Sequence, residues 1–286
     1  MQEAFRNFGR NHSNIEIARE AKLWLNRQKK VCYTINSKQK EKLRSSLKVF
    51  AVFFHPGASV TAMGGAEKRF VETLKIFCRE DDVEIVVLES APSFLAEKGI
   101  KCEKFLLLLS FHGKGWLSTY LEWILWTVKA SFKSFSLVRN VKTDVIFVPN
   151  NTLPNLVLGY ITGVIFRRPT CIVVHHIDTP FFENDFEDVS LYKTYRNIKY
   201  GKLVSFAKTL AFYITLPLLR RTKAIIAVSN FTARALKNNG VSGSKIFVSG
   251  NAVDLDFISK VEPHCGEKFF HGVFVGRIAK EKGIFD

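Results

Sequence analysis

Residues 48–90, KVFAVFFHPGASVTAMGGAEKRFVETLKIFCREDDVEIVVLES, decide the fold. KVFAVFFHP is a short β-rich apolar run closed by Pro56, as expected of a strand buried on both faces of a parallel sheet. GASVTAMGG then supplies a loop. In AEKRFVETLKIFCRE, Ala66, Phe70, Leu74 and Phe77 recur at spacings of four, four and three, one apolar face of a helix. EIVVLES follows as a second strand-like run. Strand, loop, helix and strand in this order predict a right-handed parallel crossover.

The alternation continues outward from this unit. KFLLLL (104–109), DVIFVPN (144–150), TCIVVHH (170–176), AIIAVSN (224–230) and KIFVSGNAVD (245–254) read as strands or strand ends. Residues 116–138, 153–166 and 198–221 read as helices, and FTARALKNNG (231–240) as one more, with Gly240 as its C-cap. Pro217 is expected to bend or break the helix over 198–221. Strands alternating with helices predict an α/β domain with a doubly wound parallel sheet over 48–257. Residues 1–47 form a polar, basic extension, and 258–286 read as a linker, ISKVEPHCGEK, followed by one strand, FFHGVFVGR (269–277).

Composition narrows the function. The 286 residues are 47% hydrophobic, enough for a packed core and unlike a disordered chain. Lys and Arg number 42 against 26 Asp and Glu, a net charge of +16, of which residues 1–47 hold +7. Such a balance favours anionic partners: nucleic acid, acidic lipid or phosphorylated small molecules. There is no arginine-rich tract, zinc-finger spacing or RNA-recognition aromatic motif, so nucleic acid is set aside. The five cysteines form no CxxC pair and read as isolated thiols of a reducing compartment, without a metal site. No apolar h-region opens the chain, and Lys208, Pro217 and Glu122 interrupt the longest apolar runs. The chain is therefore expected to be cytoplasmic.

In an open α/β sheet, ligands meet the C-terminal ends of the strands. Gly64 and Gly65 follow the first strand and precede a helix, where backbone N–H groups can approach an anion, though a glycine pair also serves as a plain tight turn. His175, His176 and Asp178 follow the 170–176 strand. Alternation along a strand sends one histidine into packing and the other towards the cleft. An imidazole there can orient a hydroxyl or contact a phosphate. Arg277 and Lys282 follow the last strand in GRIAKEKG, a pair of cations suited to a diphosphate. The helix at 116–138 carries Trp116, Trp123, Trp126, Phe132 and Phe135 beside Lys129, Lys133 and Arg139. It reads either as a face lying on an anionic membrane or as a core helix with snorkelling lysines.

Taken in order, GGAE (64–67), VHHID (174–178), AIIAVSNFTARALKNNGVSGSKIFVSGNAVDLDFI (224–258) and VFVGRIAKEKG (273–283) resemble glycosyltransferase family 4, over residues 48–286. The resemblance implies a GT-B architecture of two Rossmann-like domains, with most of the second absent from the sequence. It implies transfer of a sugar from a nucleoside diphosphate-sugar to an acceptor hydroxyl, with retention of anomeric configuration. Gly64 and Gly65 would approach the donor diphosphate. His176, followed by Ile177 and Asp178, would be the active-site histidine, with His175 as the other possibility. Arg277 and Lys282 would neutralise the leaving diphosphate, so that no metal and no further cofactor is needed. Asp178, Ser229 and Asn251 would line the cleft or hinge. The family's PNG stands here as Gly250-Asn251-Ala252, and its pair of glutamates eight positions apart has no counterpart. The expected partners are the nucleotide-sugar, a sugar or lipid-linked acceptor, an anionic membrane met peripherally, and a separate chain supplying the second domain. The alternative is a non-catalytic acceptor- or membrane-binding module, or a decayed fragment.

Overall fold

The computed structural model describes residues 46–54, 65–80, 83–90, 100, 103–106, 116–177, 190–197, 200–250 and 259–260. Seven strands form one parallel sheet: β1 (Leu47–Phe53), β2 (Val83–Glu89), β3 (Glu103–Leu106), β4 (Val145–Val148), β5 (Thr170–Val174), β6 (Ala224–Ala227) and β7 (Ile246–Val248). Their order across the sheet is β3-β2-β1-β4-β5-β6-β7. Chain order runs outward in opposite directions from β1 and β4, which is the definition of a doubly wound sheet. All seven residues of β1 pair with β2, from Leu47 against Val83 to Phe53 against Glu89. On its other edge β1 pairs with β4, Phe50 opposite Ile146. The boundary between β1 and β4 is the switch point.

The opening stretch folds as its pattern dictates. Helix α1 (Gly65–Phe77) buries Phe70, Val71, Leu74 and Phe77 against one face of the sheet. Phe70 lies 4.6 Å from Phe53, centroid to centroid, and 6.2 Å from Phe147. The opposite face carries α2 (Trp116–Val141), α3 (Leu153–Ile165), α5 (Lys202–Arg221) and α6 (Asn230–Asn238). A short helix, α4 (Leu191–Asn197), precedes α5 and packs against it. Val52, Val148, Val174 and Ala227 point to this second core, while Ala51, Phe147, Val173 and Ala224 point to the first.

Helix α3 sits in the middle of its layer, packed against α2, α5 and β4. Two glycines let it lie close to the strands. A Cβ on Gly159 would fall 2.2 Å from Val148 Cγ2, and one on Gly163 would fall 2.1 Å from Thr170 Oγ1. Gly240 ends α6 with φ +76, and Val241 N–H returns to Leu236 O, the C-cap expected of it.

The break expected at Pro217 does not occur. Helix α5 runs unbroken through Pro217, which lies near its C-terminal end. The proline removes the N–H that would bond Tyr213 O, and Tyr213 is exposed, so water can satisfy that carbonyl. The helix expected over 198–221 begins at Lys202, and a separate short helix, α4, precedes it. Of the two readings of α2, the core one holds for Trp126, which is fully buried 4.7 Å from the Phe54 ring, while Trp123 is partly buried and packs edge-on to Phe54. Cys171 is likewise a buried strand residue, its thiol pushed up to about 12 by burial.

Helix α5 is the one described helix whose length and composition would allow it to cross a membrane. Its ends nevertheless lead, on one side and the other, to β5 and β6 of the same sheet, so it is a crossover helix lying on the domain surface. The linker and strand expected over 258–277 lie outside the described residues, apart from Ser259 and Lys260.

Candidate functional site

At the switch point the ends of β1, β4 and β5 are held by asparagine side chains. Asn155, in the first turn of α3 and fully buried, accepts from Phe54 N–H at 2.7 Å and donates to Phe54 O at 3.1 Å. Its amide nitrogen also donates to Asn150 Oδ1 at 2.7 Å. Asn150 Oδ1 accepts in addition from the Thr152 N–H and hydroxyl. Asn151 crosses to the neighbouring strand end, accepting from His175 N–H at 3.2 Å and donating to His176 O at 2.6 Å. One primary amide thus takes the place of a backbone unit and continues the β4–β5 ladder past its last residues.

His175 is half-buried and His176 exposed. His175 Nε2 lies 3.2 Å from Pro149 O. A carbonyl only accepts, so Nε2 carries the proton and the lone pair resides on Nδ1. Burial holds the imidazole pKa below its usual value; the Pro149 carbonyl opposes that shift, Arg69 adds to it and Glu67 opposes it. The ring is therefore neutral at physiological pH. The electrostatic reach of Arg69 and Glu67 to this ring also places the first turns of α1 beside the end of β5.

Arg69 itself donates to Gly250 O at 2.6 Å and to Ser249 Oγ, just beyond β7. Burial lowers the pKa of its guanidinium. The start of α1 is thereby fastened to the segment that leaves the sheet. Gly65, the first residue of α1, has nothing within 4 Å of where a Cβ would stand. The protein's own packing does not demand glycine there, and the open space lies at a helix N-terminus.

Of the residues singled out from sequence, Gly65, His175 and His176 stand on this edge of the sheet. Ser229 is the N-cap of α6: its hydroxyl accepts from Thr232 N–H at 3.0 Å, a structural task at the end of β6. Gly64, Asp178, Asn251, Arg277 and Lys282 lie outside the described residues. Sequence reading missed Arg69, Asn150, Asn151 and Asn155. The signal available was the PNNTLPN run (149–155) straddling a strand end and a helix start, where asparagine serves as a local hydrogen-bonding residue. Glu89, buried at the end of β2, was missed as well. Among the described residues no group of three His, Cys, Asp or Glu side chains could hold a metal ion.

No curated protein sequence matches the chain. Among solved structures, the chain is similar to Anabaena Alr3699/HepE in complex with UDP, at 18% identity and a TM-score of 0.45, over 73% of this chain and 45% of that one. It is also similar to the UDP-GlcNAc 2-epimerase of Neisseria meningitidis bound to UDP-GlcNAc, at 12% identity and a TM-score of 0.45, over 72% and 46%. A third is the lipopolysaccharide outer core galactosyltransferase WaaB in its apo form, at 10% identity and a TM-score of 0.43, over 72% and 46%. The matched region spans a little under half the length of these proteins. The model of Glycosyltransferase Family 4 matches residues 63–257, from just before α1 to beyond β7, and the chain belongs to that family.

Proposed function

We propose that residues 48–257 are the acceptor-side domain of a sugar transferase. It moves a sugar from a nucleoside diphosphate to an acceptor hydroxyl with retention of configuration. The observation that carries this reading is family membership from before α1 to beyond β7, joined to a sheet edge whose strand ends are fixed by asparagines and whose helix start is open at Gly65. As the glycosidic bond to the donor breaks, positive charge develops at the anomeric carbon and negative charge on the departing diphosphate. Fixed donors aimed at that negative charge lower the barrier. In this reading Gly64 and Gly65 present backbone N–H groups to the diphosphate, and Arg277 and Lys282 supply the cations.

His176, exposed at the tip of β5, meets the substrate, and neutral His175 positions that tip through Pro149 and Asn151. Asp178 and Asn251 line the same cleft. Residues 258–286 are a linker and the start of a second, donor-binding domain, whose remaining contacts a separate chain supplies. The work of the protein is done in the cytoplasm.

Because the chain alone is incomplete for catalysis, the test is transfer of labelled sugar from a panel of nucleoside diphosphate-sugars with a donor-binding domain supplied, the anomer of the product being read by NMR. Loss of transfer in H176A, with the fold intact, supports the assignment. Full activity in H176A, or an inverted product, overturns the corresponding part. A second reading, a non-catalytic acceptor- or membrane-binding module, is favoured by the apolar outer face of the α2–α3–α5 layer. It predicts no transfer with any donor, even when a second domain is supplied.

A further inference from the structure

We infer that the outer face of the α2–α3–α5 layer is a docking surface for an anionic lipid membrane. Each of the two long helices is apolar on two opposite sides. On α2, Trp126, Ala130 and Leu137 face inward and are buried. Leu121, Ile124, Val128 and Phe132, spaced three or four apart, form a second stripe on the far side, and Phe132 is 73% exposed. On α5, Leu216 and Leu219 are buried, while Leu203, Phe206, Leu210 and Tyr213 repeat the pattern outward, with Phe206 61% exposed. Helix α3 lies between them and shows Val164 and Ile165 to the outside. A helix needs one apolar stripe to pack on a sheet, and among the described residues nothing covers the second.

The three helices cross the sheet side by side. Three widths of roughly 8–10 Å along about 20 Å of helix make a face of several hundred Å², the scale at which an exposed apolar patch marks an interaction site. Lys129, Arg139, Lys202 and Arg221 are exposed on the same helices. Glu122 is the single carboxylate in the sequences of all three. That charge selects the occupant. A second copy meeting this face would set like charges against like, because a two-fold interface pairs a patch with itself. An anionic lipid surface neutralises them and takes the apolar side chains below its headgroups. Helix α5 would then lie in the plane of the interface, since both ends return to one sheet.

This inference is independent of the sugar-transfer reading, and either can fail alone. The experiment is flotation of the full 286-residue chain with vesicles of phosphatidylcholine, with and without phosphatidylglycerol. Binding is expected only with phosphatidylglycerol, weakening as salt rises. The I124E/F206E double variant is expected to bind at least ten-fold more weakly, and so is K129E/K202E, which reverses charge without touching apolar packing. K68E, on α1 across the sheet, is the control and should bind as the parent does. Circular dichroism melts verify that each variant is folded. The inference is overturned if both double variants bind like the parent, which would assign binding to another part of the chain. It is equally overturned if phosphatidylcholine alone suffices. Absence of vesicle binding, with a sedimenting dimer that I124E/F206E splits, would make the occupant a second copy and also overturn it.

Discussion

Asn155 is where a single side chain does most to hold the crevice. It satisfies both backbone groups of Phe54, a residue 1% exposed, at the point where the chain leaves β1. Asn155→Leu keeps similar volume but leaves those groups without partners, so a loss of about 2–4 kcal/mol is expected in urea unfolding. His175 adds a pH dependence. Its folded pKa lies below the usual value of 6.5, so between that folded value and 6.5 the unfolded chain binds more protons than the folded one. Stability is therefore lost as pH falls from 6.5 through the folded pKa, and does not change through this group above that window. Melting temperatures recorded across the acid range should decline less steeply in His175→Gln. Gly65 makes the opposite kind of prediction. Because a Cβ there meets nothing, Gly65→Ala should leave the melting temperature unchanged or slightly raised, yet weaken nucleoside diphosphate binding several-fold. Equal binding by the parent and G65A would remove Gly65 from the site.

At the level of elements, α3 shows how close approach is written in sequence. Gly159→Ala would press a methyl onto Val148, and overpacking of this kind costs roughly 1–3 kcal/mol, measurable by denaturant titration. Strand and helix positions were legible because period-two and helical patterns reflect burial directly: the 48–90 stretch became β1, α1 and β2 within a few residues. Helix α4 was not legible, since LYKTYRN is too short to show a period and buries only Leu191 and Tyr195. Pro217 misled because a proline rule describes an average interior position, and this one is two residues from a buried Leu219 near the helix end. The sequence left Trp126 of α2 open between core and surface for another reason. A helix with apolar residues on two faces does not declare in sequence which face meets the sheet, and Trp126 chose the core over the surface.

On the scale of the whole molecule, topology places the site. Seven parallel strands in the order β3-β2-β1-β4-β5-β6-β7 bring the ends of β1, β4 and β5 together, and they bring His175 close to Arg69 and Glu67, more than a hundred residues away in sequence. His175, His176 and Gly65 could be named from sequence because strand-end residues announce themselves next to apolar runs. The asparagine network and the Arg69 link to Ser249 and Gly250 could not, because those bonds span up to 181 positions and depend on which strands become neighbours. The central claim is that this switch-point edge receives the nucleoside diphosphate. The most direct measurement is amide NMR of the isotope-labelled chain during titration with a nucleoside diphosphate. Shifts should concentrate at Gly65, Glu67, Asn151, His175 and His176 and weaken in G65A. Shifts confined to the outer faces of α2 and α5, or to the N-terminal ends of the strands, would contradict the claim.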